Sequence, residues 1–307
     1  MRVALTGAGG FVGRRVLSDL VACGVDVVPL VRKPGGIVGE RVVGDLAELS
    51  ADCDLPPADV CLHLAGRAHV MNDSADDVLA AYRRTNVEGT RRLLDAVIRS
   101  GIRRFVFVSS VKAAGERSPS GRPLRPEDAM HPEDAYGVSK AEAEALVREV
   151  CEAAGISWTI VRPPMVYGPG VPANFRKLVR LALSGLPLPL GAADNRRSMV
   201  FVGNLSDALK STLTAEGAVG RVLYVSDGED LSTADLVRRI ARAGGRRALL
   251  VPVPRPVLGL LAALIGKGGE FSRLFGDLQI DSRSAREALG WTPPFTVDEA
   301  LALTVAE

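Results

Sequence analysis

Histidine, cysteine and aromatic side chains are scarce in this chain, and each scarcity closes off a class of function. Three histidines and four cysteines among 307 residues leave little from which to build a metal site. Cys23, Cys53, Cys61 and Cys151 are widely spaced, with no Cys-x-x-Cys pair. Neither metal ligation nor a disulfide framework is expected, and reduced thiols in the cytoplasm are the default. Aromatics make up 5% of the chain, too few for a stacking platform. The formal net charge is +2 and no run of like charge is long, so no nucleic-acid partner is expected. The apolar run after Arg2 stops at Gly7, too short for a signal peptide. The most apolar later stretch, 257–265, is far shorter than a membrane span and reads as a packed helix, so no integral membrane segment is expected.

What is present is a strand, a glycine loop and a helix at the start of the chain. Val3-Ala4-Leu5 leads into Thr6-Gly7-Ala8-Gly9-Gly10-Phe11-Val12-Gly13, and Val16, Leu17, Leu20 and Val21 continue with helical spacing. This is the context a dinucleotide-binding fingerprint requires. Gly7 permits the tight turn, Gly10 lets the backbone approach a pyrophosphate at the helix N-terminus, and Gly13 lets helix and strand pack closely. Further strands are predicted at 25–31, 41–43, 59–64, 103–109 and 156–161. Helices are predicted at 76–100 and from about 134 to 154. His63 falls within a strand pattern and reads as a core histidine. The alternation predicts an α/β fold with a doubly wound parallel sheet of the dinucleotide-binding type. Ligands of such sheets lie beyond the carboxyl ends of the strands.

After Arg162-Pro163-Pro164 the strict alternation fades. A strand is predicted at 199–202 and another at 222–225. Helices are predicted at 174–184, 205–213, 233–243, 256–265, 283–289 and 297–305. We therefore expect a dinucleotide-binding domain at 1–165 and a smaller mixed α/β portion at 166–307 for the substrate. Part of the latter, about 199–215, is expected to pack back on the first domain.

The cofactor form turns on the end of the second strand. An acid there binds ribose hydroxyls, whereas a base accommodates a 2′-phosphate. This chain has Arg32-Lys33 and no acid until Glu40. NADP(H) is therefore favoured, with NAD(H) as the alternative. Asp45 is placed for the adenine amino group and Leu46 for the ring. The small residues Ala65 and Gly66 would let the cofactor cross a strand end.

Tyr136 and Lys140 fall one turn apart on a predicted helix, with Ser110 upstream at a strand end. A phenol beside an ammonium makes a proton donor and acceptor usable near neutral pH, because the cation favours phenolate.

With these residues laid out, the chain resembles the extended short-chain dehydrogenase/reductase superfamily, of the NAD-dependent epimerase/dehydratase type. The markers are Thr6-Gly7-x-x-Gly10-x-x-Gly13, His63-Leu64-Ala65, Asn86-Val87-x-Gly89-Thr90, Ser109-Ser110 with Gly115, Tyr136-x-x-x-Lys140, and Arg162-Pro163-x-x-Val166-Tyr167-Gly168-Pro169-Gly170. Val111-Lys112, Ala173-Asn174-Phe175 and Asn195-Arg196-Arg197-Ser198 look most like bacterial sugar-nucleotide 4-epimerases and 4-ketoreductases of surface-polysaccharide synthesis.

The resemblance implies a cytoplasmic, homodimeric enzyme acting at C4 of a UDP-hexose or UDP-N-acetylhexosamine. Tyr136 would be the acid/base, Lys140 would hold the nicotinamide ribose, and Ser110 would bond the reacting oxygen. Gly7, Gly10, Phe11, Val12, Gly13, Arg32, Asp45, Leu46, Leu64, Ala65, Gly66 and Ser109 would meet the cofactor, Ser109 alternatively being structural. Asn174, Leu190, Arg197 and Arg273 would meet the substrate, with Leu188 beside the base. The family's dehydratases carry an Asp-Glu pair where this chain has Val111-Lys112, which disfavours dehydration. Two further readings stay open: a reductase of a carbonyl substrate without a nucleotide, and a non-catalytic sensor of nicotinamide redox state.

Overall fold

The structure, a computed structural model, describes residues 1–68, 77–254, 256–259 and 275–306, the side chains of Ala173 and Asn174 excepted. Seven parallel strands form the main sheet. They are β1 (Arg2–Thr6), β2 (Asp26–Val31), β3 (Arg41–Val42), β4 (Val60–His63), β5 (Arg104–Val108), β6 (Ser157–Arg162) and β9 (Arg221–Tyr224), in the order β3-β2-β1-β4-β5-β6-β9. The chain starts in the middle, winds to one edge and then crosses to the other. That reversal opens a crevice between the carboxyl ends of β1 and β4, paired from Val3↔Val60 to Thr6↔His63.

The central strands are apolar because both sheet faces are covered. Against one face, Leu93, Leu94 and Val97 of α3 (Gly89–Arg99) and Ala143, Leu146 and Val147 of α4 (Ala135–Ala154) pack on Cys61, Phe105 and Ile160. Against the other, Val16 and Leu20 of α1 (Phe11–Ala22) meet Leu205 and Leu209 of α6 (Val202–Thr212) over Leu5, Leu62 and Val161. Thus β9 and α6, although late in sequence, are built into the sheet and its cover.

A two-stranded parallel sheet, β7 (Met165–Tyr167) with β8 (Met199–Phe201), starts the other region. It shares a core with α5 (Ala173–Leu183), α7 (Thr233–Ala243) and α9 (Val297–Val305), through Phe175, Leu236, Ile240 and Leu301. α8 (Arg283–Leu289) completes the described helices that we number. The sequence reading missed β7, whose three residues are too short to show a period. The predicted helix at 256–265 falls largely outside the described residues.

The predicted helix at 76–100 differs instructively. From Val78 to Arg99 the backbone is helical, but Arg84–Glu88 forms a π turn between α2 (Val78–Arg83) and α3. π turns are rare and concentrate at functional sites. This one holds Asn86, which is buried.

Residues 111–133 are expected as a loop over the cleft. They start with a short 3₁₀ turn, Val111–Ala113, and are pinned by the C-terminal part of the chain. Ser118 donates its N–H to the Asp277 carbonyl at 3.0 Å, and Leu124 donates to Gln279 at 2.8 Å. Asp281 returns a bond to the Leu124 carbonyl at 2.9 Å.

Candidate active site

The glycine loop can hold only glycine at two places. Gly7 has φ +74°, and a Cβ there would lie 2.6 Å from the Ala65 backbone nitrogen. A Cβ at Gly13 would lie 2.0 Å from the Gly7 carbonyl oxygen. The helix that follows is capped at Gly10 with no side-chain acceptor, so no side chain of its own satisfies its first N–H groups. Uncapped amides at the positive end of a helix suit a pyrophosphate. Phe11 lies at the mouth, in a pocket lined also by Arg14, Arg15, Pro169, Gly170 and Val202. Val12 and Leu64 pack behind it as part of the core.

Beyond β4 the chain leaves a gap at Gly66. A Cβ at Gly66 would stand 3.1 Å from Asn86 Oδ1 and 4.0 Å from Lys140 Nζ. The gap thus faces both the π turn and the lysine of α4. A side chain here would crowd Asn86, so glycine keeps this strand end clear, as a dinucleotide crossing it would require. The glycine loop, the uncapped helix and this gap together fit such a cofactor.

A chain of hydrogen bonds fixes the wall of the gap. The Ala65 amide donates to Thr6 Oγ1 at 3.1 Å, and Thr6 Oγ1 lies 2.6 Å from His63 Nδ1. His63 Nε2 lies 3.1 Å from Thr90 Oγ1, whose proton goes to the Asn86 carbonyl at 2.7 Å. Since Thr90 spends its proton there, it accepts from Nε2–H, and Nδ1 accepts from Thr6. The imidazole is therefore neutral. Burial, and then the Lys140 charge, press its pKa down to about 3. His63 is the core histidine expected from the strand pattern.

Asn86 extends the chain to the catalytic helix. Its Oδ1 accepts from the Arg67 amide at 2.8 Å, and its Nδ2 donates to the Arg67 carbonyl at 3.2 Å and to Ser139 Oγ at 2.9 Å. Ser139 in turn donates to the Tyr136 carbonyl at 2.8 Å. Sequence reasoning noted Asn86 by resemblance but missed Ser139, which has no motif of its own. Its only local signal is its place between Tyr136 and Lys140.

α4 begins at Asp134, whose Oδ1 accepts from the Gly137 amide at 2.7 Å, and it ends at Gly155 in the left-handed conformation. Asp134 also binds Lys112 Nζ at 2.6 Å, and Lys112 binds Glu116 at 2.5 Å. Lys112 therefore clamps the segment after Ser110 to the start of the helix bearing Tyr136.

Tyr136 and Ser110 are brought together. Burial pushes the Tyr136 phenol up to about 12, while a hydrogen bond with Ser110 opposes the rise. Tyr82 adds its ring at 5.9 Å, tilted. Lys140 is buried, donates to the Val108 carbonyl at 2.8 Å and sits 4.1 Å from the Phe107 ring centroid. Its burial brings the ammonium down to about 7, against a smaller opposing pull from Glu144. The expectation that Lys140 lowers the Tyr136 pKa is corrected here. In the chain alone, desolvation of the phenol dominates, and the lysine is itself poised near neutrality.

Ser109 takes the structural alternative with its side chain. Its hydroxyl is buried and donates to Glu144 Oε1 at 2.5 Å. Glu144 is fully buried and receives a two-pronged ion pair from Arg162, at 2.9 and 2.6 Å. Arg162 also donates to the Tyr224 hydroxyl at 3.2 Å and lies 5.6 Å from that ring centroid. This cluster ties α4, β6 and β9 behind the catalytic helix.

The outlying candidates are placed as follows. Arg32 is exposed just past β2. Asp45 accepts from the Ala47 amide at 3.0 Å, capping a short turn, and Leu46 packs beside the sheet. Arg197 exchanges backbone bonds with Leu231, and its Nη1 donates to the Gly276 carbonyl at 2.9 Å. Asn195, two residues earlier, accepts from the Thr233 amide at 3.1 Å and donates to Gly276 at 3.2 Å. Leu188 is buried and Leu190 half-buried, on a segment bridged to Leu250. Arg273 lies outside the described residues, and so does the side chain of Asn174.

Among the described residues no cluster of three or more metal-ligating side chains occurs, and no helix is long and apolar enough to cross a membrane.

The chain is 40% identical over 307 residues to a UDP-glucose 4-epimerase of Vibrio cholerae, covering 98% of this chain and 94% of the relative. It is 28% identical over 320 residues to an N-acetyl-alpha-D-glucosaminyl-diphospho-ditrans,octacis-undecaprenol 4-epimerase of Escherichia coli O157:H7, covering 99% and 94%. Among solved structures it superposes on MoeE5 in complex with UDP-glucuronic acid and NAD, with a TM-score of 0.79 and 28% identity, over 100% of this chain and 98% of that one. A family model matches residues 3–225, and the chain belongs to the NAD dependent epimerase/dehydratase family.

Proposed function

We propose that this protein is an NAD-dependent 4-epimerase of a UDP-hexose or UDP-N-acetylhexosamine, serving surface-polysaccharide synthesis. The observation that carries the reading is that Ser110 hydrogen-bonds Tyr136 while Lys140, one turn further along the same helix, brings its Nζ to 4.0 Å from where a Gly66 Cβ would stand, just beyond the carboxyl end of β4.

The cofactor would lie along Gly7, Gly10, Phe11, Val12 and Gly13, with Ala65 and Gly66 beneath the nicotinamide and Asp45 and Leu46 by the adenine. When bound, it supplies a hydride acceptor and donor. The protein does the rest. Tyr136 takes the proton of the sugar C4 hydroxyl and later returns one. Ser110 holds that oxygen by a hydrogen bond. Lys140, next to Gly66, holds the ribose. Asn86 and Ser139 hold the first turn of α4 so that Tyr136 stays aimed. On the far side, Arg197, Leu190 and Asn174 would seat the nucleoside diphosphate, with Arg197 able to clamp phosphate. We read residues up to about 165, with the stretch at about 199–215 packed back on them and β9 added to their sheet, as the cofactor half, and the rest as the substrate half.

NAD(H) is the form this reading takes, supported by the NAD bound in the MoeE5 structures. A preference for NADP(H) would rest on Arg32-Lys33 and the lack of an acid before Glu40. Dehydration is disfavoured because Lys112 is held by Glu116 and Asp134 where dehydratases carry acids. Homodimerisation through α3 and α4, and a cytoplasmic site suited to four free thiols, belong to the same proposal.

The test is turnover of UDP-glucose and UDP-N-acetylglucosamine with catalytic NAD, followed by NMR of the sugar. Interconversion of the C4 epimers is expected, and Tyr136→Phe should lower kcat by at least about a thousandfold while the melt stays unchanged. Product formed only with stoichiometric consumption of NADPH would replace the epimerase reading with a ketoreductase.

A further inference from the structure

One end of the substrate half carries a surface that the reaction does not use. α5 and α7 pack together and both end there. The bond from Arg246 to the Leu183 carbonyl ties their ends to each other. The extended segments that follow each helix pair side by side: Leu188 donates to Leu249 at 2.8 Å, Val251 to Leu188 at 2.8 Å, and Gly191 to Val251 at 3.0 Å.

Apolar side chains face water at this end. Leu181, Leu186, Leu249, Val251 and Val257 are 46%, 60%, 54%, 44% and 48% exposed. Among the described residues they are five of the twelve large apolar side chains left so open. Scattered exposure is ordinary, but clustering on one pair of segments is not.

The charge around them is of one sign. No acid occurs between Ala173 and Leu190, nor between Leu236 and Val257, although the whole chain is nearly neutral at +2. Arg238 and Arg239 are answered by Asp235, Glu229 and Asp298. Arg176, Lys177, Arg180, Arg242 and Arg247 are exposed and, among the described residues, have no carboxylate partner. Arg180 and Arg242 lie in the last turns of their helices, where the dipole favours a cation. That accounts for two of the five.

We propose that this end of the protein is an interfacial binding surface for an anionic phospholipid bilayer. The exposed leucines and valines enter the headgroup boundary while the unpaired cations meet lipid phosphates. A nucleic acid would satisfy the cations but leave the leucines in water. A second copy of this chain would set the same cations against each other. The segment 188–190 belongs to the same paired strands and is also the expected side of the nucleotide base. Docking here therefore brings the substrate side close to the membrane plane.

The test is flotation of the full chain with vesicles of phosphatidylglycerol and phosphatidylethanolamine, against phosphatidylcholine vesicles, at low and physiological salt. We expect binding to the anionic vesicles only, weakened by salt. Arg242→Glu with Arg247→Glu should lower partitioning at least tenfold, taking about fivefold per arginine as the ordinary contribution. Leu186→Ser with Leu249→Ser should release the binding that survives at physiological salt, with unchanged melting of each variant as the control for folding.

Equal binding to both vesicle types would overturn the proposal. So would charge-reversed protein that floats like wild type, or no flotation together with a dimer that the Leu186→Ser variant dissociates. If the double variants fail to fold, Arg247→Glu and the salt series on wild-type protein decide alone. Tight capture of duplex DNA in place of vesicles would assign the patch to nucleic acid.

Discussion

The regions proposed to hold the cofactor and the substrate are built on opposite plans. On the cofactor side, each functional group comes from a short motif at the end of a strand or the start of a helix. Gly7, Gly10 and Gly13 are one turn. Tyr136 and Lys140 are one helix face, with Ser139 between them. The supporting contacts are buried, such as His63 between Thr6 and Thr90 and Glu144 against Arg162. On the substrate side, position comes from pairings between distant segments. Arg197 is held by Leu231 and Gly276, and Asn195 by Thr233 and Gly276. The first plan fixes chemistry to within one turn of backbone, and the second leaves a pocket that can be reshaped by changing one loop.

Four variants would break or sharpen this contrast. The largest effect is expected from Glu144→Ala, which leaves Arg162 buried without its partner. It should cost about 3–5 kcal/mol in a urea melt. The replacement of both by apolar residues should cost much less, and a small loss for Glu144→Ala alone would deny the cofactor half its rigid backing.

Next is Lys140→Met in cofactor-free protein. With a folded pKa near 7, wild-type Lys140 is depressed below its ordinary value. Between about pH 7 and 10 the unfolded chain holds the extra proton, so wild-type stability rises with pH across that window and is lowest below it. At about 1.4 kcal/mol per pKa unit the effect is several kcal/mol. Lys140→Met should therefore melt higher than wild type at pH 6 and lose the pH slope, while losing turnover. A pH-independent difference in melting would remove the desolvated lysine from the account.

On the substrate side, Arg197→Ala should weaken UDP binding about tenfold by calorimetry without moving NAD affinity, as removal of one charged hydrogen-bonding group implies. A fall in both affinities would mean that the halves are not separable. The smallest change is expected from Arg32→Asp, which should raise the NAD to NADP affinity ratio severalfold. An unchanged ratio would show that Arg32 does not reach the ribose.

The sequence was most legible where a backbone constraint admits one residue type. Gly7, with positive φ, and Gly13, pressed on the Gly7 carbonyl, could be read from spacing because nothing else fits. Helices with strong ends were placed well, including Thr233–Ala243 and Val297–Val305, the latter starting in a Thr296–Glu299 capping box. Ser139 and Glu144 were not read as functional supports, because their partners lie on other elements and only the fold brings them within reach. The same holds for residues 118–124, whose pairing with 277–281 leaves no local trace. The Tyr136 and Lys140 balance was misread for a related reason: spacing shows that two groups are neighbours, but not how much water each has lost.

The π turn at Arg84–Glu88 has a consequence for how this helix can change. Before it, Tyr82 leans toward Tyr136; after it, Leu93, Leu94 and Val97 sit in the core. An α-helix advances about 100° per residue, so the wider turn is the joint that lets both faces point where they must. Removing one residue from it would regularise the backbone and take away the bulge that carries Asn86 to Arg67 and Ser139. A change of length in this stretch therefore reaches the active site through Asn86, whereas a substitution on its outer face does not.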